Sequence, residues 1–373
     1  MNKDKQYRIN EFCLIPPPYG GVTVYVKRLS DQLQKDGYSV GGYYSEECKD
    51  SKVLESPDYY KAIVSMSSSK VVRAFVQIIR MICNIYELSH FDLIHYHGLE
   101  NLKLIWILKN FLRKKIIITV HSTMIGGFYN KTSAINRFFM KKLADSDAQW
   151  IAVSEQAKQC MLNLPINFHK DIPVVAAYVP IESQSDKPLS REMMTYINAH
   201  KKNIAFYGRS FMINEGIDVY GFEDALILYK NIVERIEDSV GLIFCLSEDR
   251  DQAQIQKLFE IAKTLGIYSK IYWQIGAMDN INTLWKTIDI YIRPTSTDGD
   301  SVAVREVLDL GVHVVASDVC WRPEGVITYA WNNADSLFQK VQFALSIPKK
   351  EPKQNYACYN AMKSLIDNYL GNR

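Results

Sequence analysis

Between Arg293 and Glu306 of this 373-residue chain, three carboxylates and two arginines crowd into one short stretch. From Arg293 to Asp318 the sequence reads RPTSTDGDSVAVREVLDLGVHVVASD, with Asp298 and Asp300 in a polar loop and Arg305 and Glu306 just beyond. The apolar run Asp289–Ile292 is stopped by Pro294 and a stretch of Thr, Ser, Asp and Gly, which reads as the end of a strand. Asp300 or Ser301 can cap a helix whose end is marked by Gly311. Val312–Ala316 is then a continuous β-branched run, as expected of a parallel strand covered on both faces. The carboxylates therefore fall at the carboxyl end of one strand and inside the following helix, the edge at which open α/β sheets bind ligands. On this segment alone a ligand clamp and a capped turn with a solvated Glu are both open.

Other residues with chemistry lie at similar places. Gly20 and Gly21, in Pro16-Pro-Pro-Tyr-Gly-Gly21, follow a strand and precede a helix with Val22, Val26, Leu29 and Leu33 on one face. Glycines there let a phosphate approach the free amides of a helix start, although neither GxGxxG nor a Walker pattern is present and a plain tight turn fits as well. His95 and His97 project from the same side of a strand, so a metal pair is one reading. No carboxylate or Cys completes a ligand set nearby, and hydrogen-bonded structural histidines are the alternative. His121 leaves a strand beside Ser122 and Thr123 and is the better polar-contact candidate. Arg209, in Tyr207-Gly-Arg-Ser210, offers a bidentate donor fork for a phosphate, or a surface pair with Glu215 or Asp218.

These residues need elements to position them. Short apolar runs alternate with helical patterns every ~20–30 residues, the signature of βαβ units and parallel sheets. Strands are expected at Ile9–Ile15, Ser39–Tyr44, Leu93–Tyr96, Ile116–Val120, Trp150–Val153 and Val174–Tyr178. After a polar stretch at Glu182–Pro188 that reads as a linker, a second series follows at Asn203–Tyr207, Gly241–Leu246, Ile271–Ile275, Asp289–Ile292 and Val312–Ala316. Tyr356–Leu370 reads as a last helix. Two α/β domains in tandem result, with a small-molecule cleft expected between them.

Composition narrows the function classes. Apolar content of 47% and charged content of 23% are those of a soluble globular protein, and no apolar run is long enough for a membrane span. The start MNKDKQ is not a signal peptide. The seven cysteines lack any CxxC pair, which argues against a disulfide framework or zinc site and suits a reducing cytosol. Residues 1–185 carry 23 Lys+Arg against 17 Asp+Glu, and the remainder 21 against 24. A basic first half suits an anionic surface or acceptor better than nucleic acid. Lys70–Tyr86, with Arg73 and Arg80, and Leu102–Lys115 interleave bases with bulky apolar residues, and Phe138, Phe139, Lys141 and Lys142 extend the pattern. Such segments can lie on an anionic membrane or be ordinary amphipathic helices with snorkelling bases.

Gly20-Gly21 before a helix, the IHYHG and ITVHS strands, Ile151-Ala-Val-Ser-Glu155, FYGR and RPTSTDGDSVAVRE…LG…VVASD…RPEG occur in an order that resembles retaining glycosyltransferases of family 4. The resemblance covers nearly the whole chain and is most specific for the branch serving bacterial surface-polysaccharide assembly. It implies the GT-B fold: two Rossmann-like parallel-sheet domains facing a cleft. Residues 1–184, joined by a C-terminal helix at 356–373, would form the acceptor-side domain, and residues 185–355 the donor domain.

The resemblance also implies roles. The family's Glu-x(7)-Glu pair falls on Asp298 and Glu306, the first holding donor-sugar hydroxyls and the second the ribose. Amides around Asp300, Ser301 and Val302 would face sugar and phosphate, Arg209 the diphosphate, Gly20 and Gly21 the phosphates, and His121 the transferred sugar. A Lys usually follows that Arg in the family. Here Glu215 occupies its place, and the loss of a cationic donor at the leaving diphosphate would cost several kcal/mol unless Arg305 or Arg293 substitutes. The implied reaction is sugar transfer from a nucleotide sugar, expected to be a UDP-sugar, to a glycan or lipid-linked oligosaccharide in lipopolysaccharide, capsule or exopolysaccharide synthesis. Configuration is retained, with neither cofactor nor metal. A cytoplasmic protein resting peripherally on the anionic inner membrane face is expected, with no nucleic-acid partner. A silent GT-B subunit partnering another glycosyltransferase and a GT-B sugar-nucleotide epimerase are the alternatives. A dehydrogenase is disfavoured because neither domain carries GxGxxG with a following acid.

Overall fold

A computed structural model of the chain describes residues 6–17, 20–62, 70–181, 187–214, 216–236 and 239–371. It divides into two units. Unit 1 comprises Met1–Val179 with Tyr356–Arg373, and unit 2 comprises Pro180–Asn355.

Unit 1 holds β1 (Arg8–Leu14), β2 (Ser39–Tyr44), β3 (Tyr59–Lys61), β4 (Leu93–Tyr96), β5 (Lys115–Val120) and β6 (Gln149–Ala152). They form one parallel sheet in the order β3-β2-β1-β4-β5-β6. Ile116, Ile117, Ile118 and Val120 are all buried, as a strand with helices on both faces requires. The helix Gly21–Lys35 buries Tyr25, Val26, Leu29, Ser30 and Leu33, and each large apolar residue so buried contributes about 1.5–3 kcal/mol.

Unit 2 repeats the plan with β7 (Lys202–Gly208), β10 (Val240–Leu246), β11 (Ile271–Ile275), β12 (Ile290–Arg293), β13 (His313–Ser317) and β14 (Ile327–Tyr329), together with a small antiparallel hairpin of β8 (Ile213–Asn214) and β9 (Ile217–Asp218). The six pair in parallel in the order β11-β10-β7-β12-β13-β14. In each sheet the strand order reverses once, between β1 and β4 and between β7 and β12. Ligands of open α/β sheets bind beyond the strand ends at that reversal.

Two expectations need correction. Val174–Tyr178 is not a strand. Val174 makes a single bridge to Ala152, after which Tyr178 N–H turns back onto the Ala176 carbonyl and Pro180 follows. The short edge strands β3 and β14 escape the sequence pattern, because three residues are too few to show alternation. The terminal helix begins at Ala357 and ends at Leu370, with Tyr359, Met362, Ile366 and Leu370 buried in the unit 1 core.

Candidate functional site

The reversal point of unit 2 carries most of the acids and bases singled out above. Arg293 ends β12, and the loop beyond brings Asp298 back onto it. Arg293 Nε donates to Asp298 Oδ2 at 3.1 Å and Nη2 to Oδ1 at 3.4 Å. A second guanidinium arrives from beyond β13: Arg322 Nη1 donates to Asp298 Oδ2 at 2.9 Å. Arg322 is held by the Ser317 carbonyl, the Ser317 hydroxyl and Thr295 Oγ1 at 3.0–3.1 Å. All three charged side chains are nearly buried, at 11%, 10% and 4% exposed for Arg293, Asp298 and Arg322. Burial opposes ionisation of Asp298, but Arg293 and Arg322 outweigh it and hold the carboxyl below its usual 3.8. Two cations on one anion leave a surplus positive charge.

Asp300 is taken up differently. Arg305 Nε lies 2.9 Å from both of its oxygens, so that pair is neutral, and burial nevertheless pushes the Asp300 carboxyl up. Ser301 caps the helix Val302–Asp309, its hydroxyl accepting from Val304 N–H at 3.4 Å. Gly311 closes that helix at φ +73°, where an added Cβ would meet the Lys350 carbonyl at 2.0 Å. Glu306 faces inward and is buried, and Trp285 Nε1–H donates to its Oε2 at 3.0 Å.

Arg209 follows β7, the strand beside β12. Its Nε pairs with Glu248 Oε1 at 3.1 Å, both side chains about two-fifths exposed at 43% and 41%. Of the two surface partners expected for Arg209, Asp218 instead receives the Tyr220 and Phe222 amides at the next helix start, and Glu215 lies outside the described residues. Tyr220 lies against the Arg293 guanidinium, 5.2 Å from the ring centre. Of the two bases that could replace the family's Lys, Arg305 is committed to Asp300, whereas Arg293 belongs to the surplus. Arg322 is the residue that sequence reasoning missed, although it opens the RPEG segment.

The reversal point of unit 1 is a buried polar cluster. Glu11 of β1 stands in register with His95 of β4. Its Oε2 is 2.6 Å from His97 Nε2 and 2.9 Å from His95 Nδ1. The first is a hydrogen bond; the second approach is too skewed to be one, and Glu11 Oε1 and His95 Nδ1 are buried without a hydrogen-bond partner. His95 Nε2 is 2.8 Å from Thr119 Oγ1 of β5, and His97 Nδ1 is 3.0 Å from His121 Nε2. A carboxylate does therefore complete the histidine pair, correcting the expectation from sequence neighbours. Parallel pairing of β1 with β4 supplies it from 86 residues before His97. The Glu11, His95 and His97 donor atoms lie within 4.8 Å of one another. Burial opposes charge on Glu11, yet the two imidazoles outweigh it and bring the carboxyl to about 2. Burial lowers His97 to about 4 and holds His121 well below 6.5.

Gly20 caps the helix Gly21–Lys35 with extended backbone, its N–H donating to Thr23 Oγ1 at 3.0 Å. From the same helix, Tyr25 stands edge-on to His97 and His121, with ring centroids 6.0 and 5.9 Å away. Pro18 and Tyr19 of the turn before it lie outside the described residues, as do residues 182–186 of the polar stretch and the side chains of Lys70 and Arg73. On the basic, apolar segments of unit 1, Ile82, Tyr86, Phe111, Ile135 and Phe138 are exposed, and Lys142 Nζ stands 5.8 Å from the Phe138 ring centre. Among the described residues no helix is long and apolar enough to cross a membrane.

Residues 19–176 match the family model for Glycosyltransferase Family 4. No curated protein matches the sequence. Among solved structures, the chain is similar to sucrose-phosphate synthase from Thermosynechococcus elongatus, with 12% identity, 99% of this chain and 100% of that chain covered, and a TM-score of 0.67. It is similar to Anabaena HepE in complex with UDP and glucose, with 11% identity, 98% and 96% covered, and a TM-score of 0.68. It is also similar to the lipopolysaccharide outer core galactosyltransferase WaaB, with 14% identity, 98% and 97% covered, and a TM-score of 0.59. At these identities the structures speak for the fold. They give the chain the GT-B fold, and the match to Glycosyltransferase Family 4 speaks for residues 19–176.

Proposed function

We propose that this glycosyltransferase moves a sugar, with retained configuration, from a UDP-sugar to a glycan or lipid-linked oligosaccharide in surface-polysaccharide assembly. The observation that carries the donor side is the surplus positive charge of Arg293 and Arg322 around Asp298, beside the start of the helix Val302–Asp309. A diphosphate is the ligand such a place favours, because guanidinium forks and helix-start amides both stabilise phosphate oxygens. Arg209 can join them, since an ion pair as exposed as Arg209–Glu248 holds it by no more than about 1 kcal/mol. Asp298 would keep an acceptor position for a sugar hydroxyl, and Glu306 would take the ribose. Gly20 and Gly21 are assigned to the phosphates and His121 to the sugar. HepE has been seen with UDP and glucose, and WaaB is a lipopolysaccharide galactosyltransferase; both support the choice of donor and pathway class. The exposed basic and aromatic side chains of unit 1 support an acceptor at an anionic membrane face.

Titration with UDP-, GDP- and ADP-sugars tests the reading. Glu306→Gln is the informative variant, because it keeps an oxygen for Trp285 while losing the carboxylate. Saturable UDP-sugar binding that weakens roughly 10–100-fold in Glu306→Gln, the equivalent of ~1–3 kcal/mol, is expected. Absence of saturable nucleotide binding, or indifference to the substitution, would refute it. Conversion of the donor to its epimer without any acceptor would point to an epimerase instead.

A further inference from the structure

The cluster at the reversal point of unit 1 is ordered in one direction. Glu11 is ionised and fully buried, so it can only accept. The 2.6 Å contact therefore places a proton on His97 Nε2. A neutral His97 then has a lone pair at Nδ1, so the 3.0 Å contact to His121 Nε2 must be a donation from His121. His121, neutral in turn, is left with a lone pair at Nδ1. That atom makes no hydrogen bond among the described residues, and the half-buried His121 ring follows β5 at its carboxyl end. His95 flanks the carboxylate and is itself tied to Thr119.

A metal centre would look different. Tetrahedral coordination with bonds of about 2.0–2.2 Å separates ligand atoms by ~3.3 Å or more. Here the carboxylate oxygen and the imidazole nitrogens are 2.6 and 2.9 Å apart.

We propose that Glu11, acting through His97, is a positioning residue that fixes His121 as the Nε2–H tautomer, presenting Nδ1 as an acceptor for a sugar hydroxyl. The geometry is the base-and-orienter arrangement of hydrolytic triads with one imidazole inserted. The sugar as ligand rests on the function proposed above; the tautomer does not.

The test uses the full chain labelled with 15N-histidine, read by long-range 1H–15N correlation at pH 7, with His121→Asn and His97→Asn identifying the two rings. His97 and His121 are both expected as neutral Nε2–H tautomers. An Nδ1–H tautomer or an imidazolium at His121 overturns the proposal. So does a shift of these signals on adding Zn2+ that marks nitrogen coordination. Glu11→Leu, which removes the acceptor, is expected to mix the His121 tautomers; if that variant does not fold, His97→Asn must mix them, and an unchanged His121 pattern counts against the relay. With a competent donor and acceptor, kcat should fall ~10-fold or more in His97→Asn while donor KM stays within about twofold. Correct tautomers with no sugar transfer by the wild type would refute the proposed function and leave the relay standing.

Discussion

Asp298 can be removed with a calculable consequence. Its carboxylate is shared by Arg293 and Arg322, and all three side chains are nearly buried, so the discount that applies to surface ion pairs does not. Deleting one partner of a buried pair leaves uncompensated charge and costs about 3–5 kcal/mol. Asp298→Ala leaves two guanidiniums facing one another and belongs in that range. For a unit spanning Pro180–Asn355, at roughly 2–4 °C per kcal/mol, the unit 2 transition should fall by ~6–20 °C in scanning calorimetry. Asp298→Asn keeps shape and an acceptor oxygen and should fall less. Removing a cation as well, in Asp298→Ala/Arg322→Met, should recover part of the loss, with a coupling of ~1–3 kcal/mol. A shift below about 2 °C for Asp298→Ala, or strict additivity in the double variant, would show that solvent already screens the cluster.

The acid response of unit 1 has a definite sign. The folded pKa of His97 lies near 4 against 6.5, and that of Glu11 near 2 against 4.5, so the unfolded chain binds more protons in both intervals. Stability should be fully present above pH 6.5 and fall progressively towards pH 2, by up to about 1.4 kcal/mol per pH unit for each group within its own interval. Urea unfolding at about pH 7.5, 6 and 5 that gave equal stabilities would contradict this. Gly221 and Gly266 both adopt positive φ, +72° and +69°, but a Cβ at Gly221 would sit 2.3 Å from the Pro294 carbonyl whereas one at Gly266 meets nothing within 4 Å. Gly266→Ala should cost only the left-handed penalty of ~1–2 kcal/mol, and Gly221→Ala clearly more, compared by thermal unfolding.

Much of the fold is legible because parallel strands announce themselves as continuous apolar runs, as in Ile116–Val120 and Gly241–Leu246. Three-residue edge strands carry no such signal, and Val174–Tyr178 imitates one because its apolar residues serve packing rather than a ladder. The acids between Asp298 and Glu306 are visible as a loop and helix, with Arg293 and Arg305 close by in sequence, but the distant partners are not. Arg322 reaches Asp298 across 24 residues, and Glu11 reaches His97 across 86. In β1 Glu11 looks like a polar interruption of an apolar run; only the pairing of β1 with β4 turns it into the acceptor of a histidine chain. Long-range polar contacts of this kind are set by sheet topology, which local spacing does not encode.

The helix Ala357–Leu370 belongs to unit 1 although unit 2 precedes it in the chain. Tyr38 bonds Asp367, Tyr359 bonds Asp36, and Lys115 Nζ donates to the Tyr369 carbonyl at 2.7 Å. During synthesis, unit 1 therefore emerges first but waits for the ribosome to finish all of unit 2 before its last wall is delivered. Meanwhile the surface that will receive Ile366 and Leu370 stays uncovered, a window in which a chaperone or a neighbouring nascent chain can compete for it.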